Sequence, residues 1–239
     1  MTWSIIARDP ATGELGIAVA TRFFAVGALV PHIDPGAGAV ATQALVNPYL
    51  GIDGVALLRQ GVVAEDALAR LLAADPGRDS RQIHLMDRAG GTARHTGKSC
   101  VDRCGHLARQ GITVAGNMLA GAQVIEATAD AFLAARGKPL AERFLAALDA
   151  GEAAGGDKRG KQSAAIRIHR GEAWPALDIR VDDHADPLPE LRRIYERSFE
   201  RWQAFRDFLP TRANPAGVTD RARIDAAIAA AQAKAQATQ

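Results

Sequence analysis

The chain has 239 residues, 48% hydrophobic and 23% charged, enough apolar material for one full-sized core or for one domain with an appendage. A net charge of +2 argues against a nucleic-acid or membrane-surface binder, and no apolar run reaches the roughly 18 residues of a membrane span. The cysteines, Cys100 and Cys104, are too few for a disulfide framework, and without a basic-then-apolar leader the expected location is the cytoplasm.

Thr2 follows the initiator methionine, which is ordinarily trimmed before a small second residue. Trimming would leave a hydroxyl and a free α-amine on one threonine, which can attack and accept the proton without a histidine. The amine's ordinary pKa of about 8 leaves a usable neutral fraction near physiological pH. Residues 3–9 and 15–22 then read as two β-type runs, with Gly13 supplying the positive φ of a hairpin turn. Residues 25–30 and 38–44 read as further strands, apolar at consecutive positions and so covered on both faces.

Residues 47–60 and 63–74 switch to helical spacing. Val63, Ala67, Leu68, Leu71 and Leu72 share one face, and Asp75-Pro76-Gly77 ends the second helix. Residues 82–86 and 92–95 form a second expected hairpin, and 112–119 a further strand. Two helices follow, 122–135 and 139–150, the latter with Pro139 as first helical residue and Gly151 as terminator. Strands return at 161–169 and 176–181. From Pro187 a stripe including Leu191, Tyr195, Phe199 and Trp202 predicts an aromatic-bearing helix, followed by an Ala-rich helix over 220–237. The order lacks strict βαβ alternation. It predicts an α+β layered sandwich over 1–185 and a helical C-terminal extension over 186–239.

Several stretches could carry chemistry. Gly36-Ala37-Gly38-Ala39-Val40-Ala41 matches the dinucleotide fingerprint in letters, but strand-like residues follow it where a helix is needed, so it is read as a turn. His95, Cys100, Cys104 and His106 could ligate zinc, although their spacing is not a CxxC pair. Buried small thiols are the plainer reading, so no metal and no cofactor are expected. Residues 155–163 are densely polar at a strand entrance: Asp157 could hold a cation, while Lys158 or Arg159 could bind a carboxylate or lower the pKa of the N-terminal amine. A solvated loop is the alternative. Asn117, at a strand end, could donate to an oxyanion or simply make a turn.

Taken in order, Thr-Trp-Ser-Ile-Ile-Ala-Arg-Asp from Thr2, Thr-Gly-Glu-Leu-Gly-Ile-Ala-Val-Ala-Thr-Arg from Thr12, His-Thr-Gly-Lys-Ser-Cys from His95, Gly-Asn-Met-Leu from Gly116 and Gly-Gly-Asp-Lys-Arg-Gly-Lys-Gln-Ser from Gly155 resemble domain-of-unknown-function family 1028. That family is grouped with the N-terminal-nucleophile hydrolases, which implies a four-layer αββα sandwich and a nucleophile at Thr2. The tail from Asp186 resembles a module provisionally labelled peptidoglycan-binding. Proteasome-like members carry Asp-Thr-Arg near the end of the second strand. Here the match is Thr21-Arg22 preceded by Ala20, and no lysine stands among residues 38–43.

The expectation is an amidohydrolase acting on a small metabolite through Thr2. Asn117 and Asp157 would be in the catalytic set, and Arg22, Lys158 and Arg159 would orient an anionic substrate. A homo-oligomer is expected, with no nucleic-acid or membrane partner. The alternative is a non-catalytic protein of the same fold that binds peptide or cell-wall fragments.

Overall fold

A computed structural model describes residues 2–101 and 103–236. The elements are β1 (Thr2–Arg8), β2 (Leu15–Thr21), β3 (Pro31–Asp34), β4 (Gly38–Ala44), α1 (Pro48–Arg59), α2 (Ala64–Ala74), β5 (Arg81–Asp87), β6 (Thr92–Thr96), β7 (Gly105–Arg109) and β8 (Ile112–Asn117). They continue with α3 (Gln123–Ala134), α4 (Leu140–Ala153), β9 (Ser163–His169), β10 (Leu177–Val181), α5 (Pro187–Ser198), α6 (Trp202–Phe205) and α7 (Arg221–Gln236). The protein is thus a mixed α+β structure. One sheet runs β10-β9-β2-β1-β8-β7 and the other β3-β4-β5-β6, and every pairing is antiparallel. No described helix is long and apolar enough to cross a membrane.

Strand parity decides what each side chain meets, because alternate residues point to opposite faces. In β1, Ser4 and Ile6 face the second sheet: Ser4 bonds Gln43 and His84 there, and Ile6 packs with Ile17, Val19, Ala39, Ala41 and Met86. Thr2 shares that face. Trp3 points the other way, toward α4. At Gly151, inside α4, an added Cβ would stand 2.6 Å from Trp3 Nε1 and 2.5 Å from Thr128 Oγ1. Gly151 therefore admits the indole. It does not end the helix as the sequence suggested, and α4 runs on to Ala153.

On the second sheet the opposite parity of β4 and β5 turns Val40, Ile83 and Leu85 outward. There they pack with Leu50, Val55 and Leu58 of α1 and with Ala67, Leu68 and Leu71 of α2. The Asn47 side chain caps α1 by accepting from Tyr49 N at 3.1 Å, with Pro48 in the first turn. Asp87 does the same for α2, its carboxylate accepting from Ala64 N at 3.1 Å.

One expectation is corrected and two strands are added. Residues 25–30 form a short 3-10 turn (Val26–Ala28) rather than a strand, with Ala25 in the left-handed region at φ +52°. Strands β3 and β7 had no visible pattern: β3 spans four residues, and β7 reads half-exposed. Both exist because a strong neighbour, β4 or β8, offers an edge to pair with.

The chain divides into two compact units, Met1–Leu188 and Pro189–Gln239. In the second, Tyr195 and Phe199 meet edge-on at 5.1 Å, and Arg223 lies over the Phe208 ring at 6.0 Å. Every residue of the site below belongs to the first unit.

Candidate active site

The β1–β2 pairing puts Thr2 opposite Thr21, and the β1–β8 pairing puts Asn117 on its other side. All three side chains point to the space between the sheets. Thr2 Oγ1 and Thr21 Oγ1 are hydrogen-bonded at 3.1 Å. The Thr2 carbonyl accepts from Gln43 Nε2 at 3.4 Å and from Asn117 Nδ2 at 3.5 Å. Thr2 is 7% exposed and lines a cavity.

That cavity has a volume of about 190 Å³. Its deep wall is Thr2, Gln43, Val26 and Val30, all buried; Phe23, Leu29, Val46 and Arg159 form the outer wall, with Ala44 between. Non-glycine residues in left-handed backbone fringe it. Ala25 (φ +52°) precedes Val26, and Ala44 (φ +72°) is part of the wall. Such residues concentrate where surrounding structure enforces a functional shape.

Residues 157–160 close one side. The Asp157 carboxylate, fully buried, accepts from Arg22 N and Arg159 N, each at 2.8 Å, and pairs with the Arg159 guanidinium at 3.2 Å. Arg22 Nη1 donates to Arg159 O at 3.0 Å. Gly160, at φ +97°, allows the turn that brings these groups together. A bridge between Leu119 and Asp157 fixes the loop beside the end of β8.

Behind Thr2 the sheets meet through a buried polar layer. Ser4 Oγ donates to Gln43 Oε1 at 2.7 Å and lies 2.8 Å from His84 Nε2. Gln43 Nε2 and Asn117 Nδ2 both donate to Gln82 Oε1, at 2.8 and 3.0 Å. Gln82 Nε2 in turn reaches Gly116 O at 2.8 Å and Thr96 Oγ1 at 2.9 Å, and Thr96 bonds His106 Nδ1 at 3.1 Å. Burial drives the His84 pKa down to about 3, aided by the nearby His106, so the ring is neutral.

The structure brings Thr2 and Arg159 to one cavity. Arg22 braces Arg159 from behind, and Asp157 is a buried counter-charge to Arg159 that also holds two backbone N–H groups. Lys158 is exposed and lies outside that wall. Asn117 is 1% exposed, and its amide is directed at Gln82 and the Thr2 carbonyl, where an oxyanion donor would face the cavity. Its place is in positioning the Thr2 peptide. Residues Gln43, Gln82 and His84 were not anticipated; their signal was polar side chains at alternate positions of otherwise apolar strands.

The other proposed ligand cluster is engaged elsewhere. His95 Nε2 bonds Arg78 O at 2.9 Å and the Cys100 thiol donates to Arg81 O at 3.2 Å. Among the described residues no group of three His, Cys, Asp or Glu side chains is disposed to hold a metal ion.

Fold and site together define an antiparallel two-sheet α+β protein with a small cavity at the start of its first strand. A family model described as a family of unknown function (DUF1028) matches residues 2–191, and the chain belongs to that family. A crystal structure of a DUF1028 protein from Silicibacter pomeroyi is 32% identical, with a TM-score of 0.85, covering 92% of this chain and 99% of that one. Anbu (ancestral beta-subunit) from Yersinia bercovieri aligns at 11% identity and a TM-score of 0.41, over 82% of this chain and 94% of its own. No protein of curated function matches the chain.

Proposed function

We propose that the protein is an N-terminal-nucleophile amidohydrolase, built as a four-layer αββα sandwich, that cleaves an amide-type C–N bond of a small, anionic metabolite. The observation that carries this reading is the position of Thr2, which lines a cavity together with Arg159 while its carbonyl accepts from two buried amides. Helical pairs packed on the outer side of each sheet support the fold assignment.

With Met1 removed, the Thr2 hydroxyl attacks the substrate carbonyl and its proton passes to the Thr2 α-amine. The amine then protonates the departing nitrogen, leaving an ester on Oγ1. Water, deprotonated by the same amine, hydrolyses that ester and restores the threonine. Gln43 lines the same cavity as Thr2, and an N-terminal amine with its reference pKa of about 8 keeps a usable neutral fraction near physiological pH.

The test is the intact mass of tag-free protein, which should lack Met1, together with amide turnover in the wild type and in Thr2→Ala. Full activity in Thr2→Ala would sink the mechanism. A binding protein on the same fold is the second reading. It is favoured by one observation: the partner of the Thr2 hydroxyl is another neutral hydroxyl, which cannot take its proton.

A further inference from the structure

We infer that the cavity at Thr2 selects N-acyl amino acids with a short aliphatic acyl group; this rests on the amidohydrolase reading and names the substrate class for it. The cavity's volume of about 190 Å³ lies below the range of roughly 300 Å³ and upward that holds drug-sized ligands. A cavity of that size suits a short acyl chain better than a long or bulky one.

Its chemistry is two-ended. Val26 and Val30 are buried in the deep wall beside Thr2, and Leu29 and Val46 extend that apolar lining outward. An aliphatic chain satisfies these walls, whereas a hydroxylated or ureido group would be buried there without hydrogen-bond partners on the valine and leucine side chains. At the mouth stands Arg159, whose side chain keeps 40% of its exposure while Asp157 holds its guanidinium in place. Arg22 Nη1 donates to the Arg159 carbonyl, so a second guanidinium stands beside it. Thr2 lies deep and the cations lie at the mouth. That order seats the acyl chain inward, the scissile carbonyl at Thr2, and the carboxylate of the departing amino acid outward at Arg159.

The test uses full-length, tag-free protein and three probes: N-isovalerylglycine, its neutral glycinamide analogue, and N-carbamoylglycine, in which a polar ureido group replaces the aliphatic acyl chain. Binding is measured by calorimetry in Thr2→Ala, so that no turnover intervenes. N-isovalerylglycine should bind at least about tenfold more tightly than either analogue, the scale of a charge-assisted hydrogen bond or of several buried methyl groups. Arg159→Gln should erase the preference for acid over amide. Val46→Phe, which fills the outer wall without touching the charges, should weaken the aliphatic probe about tenfold. Equal binding of N-isovalerylglycine and N-carbamoylglycine, or of acid and amide, overturns the assignment. Glycine release by the wild type, measured in parallel, separates the two readings. Selective binding without release sinks the nucleophile and keeps the ligand class, whereas hydrolysis of other amides without this preference does the reverse.

Discussion

The hydroxyls of Thr2 and Thr21 meet at 3.1 Å because the β1–β2 register ends with these two residues opposite each other on one face of the sheet. The contact fixes the Thr2 rotamer. Thr21 cannot act as a base, so in the proposed mechanism its contribution is to hold Oγ1 while the α-amine would take the proton.

Replacing Thr21 by valine keeps shape and removes the hydroxyl. A neutral hydrogen bond of about 1 kcal/mol corresponds to a loss of roughly five- to tenfold. That loss should fall on kcat with KM little changed, and Thr21→Ser should restore most of it. Steady-state kinetics on an amide substrate provide the check; an unchanged kcat in Thr21→Val would remove Thr21 from the positioning role.

Asp157 is a structural hinge pin as much as a charge. Asp157→Ala strands the N–H groups of Arg22 and Arg159 and releases the Arg159 guanidinium. A loss of about 2–3 kcal/mol is expected, below the cost of breaking a fully buried pair because Arg159 is partly exposed. Asp157→Asn, which keeps an acceptor, should lose less. Urea unfolding of both variants measures the difference.

Gln82 joins the two sheets at the back of the site. Its carbonyl accepts from Gln43 and Asn117, and its amide serves Thr96 and the backbone of Gly105 and Gly116. Gln82→Leu is close in size yet leaves these groups buried and unmatched. The expected destabilisation is about 2–4 kcal/mol by urea unfolding, with Thr2 less firmly held as the Gln43 and Asn117 amides lose their shared acceptor.

His84 makes stability pH-dependent. The unfolded ring titrates at its ordinary 6.5 and the folded ring at about 3, so between these values the unfolded chain carries the extra proton. The stabilisation from a neutral ring is complete above pH 6.5. It is lost as pH falls, by about 1.4 kcal/mol per unit, until the folded pKa is reached. Urea midpoints at pH 7 and pH 5 should differ more for the wild type than for His84→Gln; parallel curves would show that His84 does not titrate in this way.

Much of the secondary structure was legible because its signals are local. The hairpin turn at Gly13 (φ +73°), the helical stripe of α2 and the doubly covered apolar run of β4 follow from residues close in sequence. The mixed α+β class and the family followed from element order and motifs. What escaped depends on partners distant in the chain. β3 is a strand because β4 is beside it. Gly151 looks like a terminator until Trp3 is placed against it. Asn117 reads as a free donor until the register sets it between Thr2 and Gln82. Gln43 carries no motif at all, and its importance comes from a position that only the stacking of two sheets creates.

The left-handed residues Ala25 and Ala44 bear on more than local strain. Each holds a conformation that an isolated chain would leave, at a cost of order 1 kcal/mol or more, so the folded surroundings have fixed these wall segments in advance. A ligand entering this cavity surrenders its own freedom and little of the protein's. Selectivity then reports the shape of a finished mould, and a methyl group too large for the buried end should cost about 1–3 kcal/mol of binding instead of being accommodated by a yielding wall.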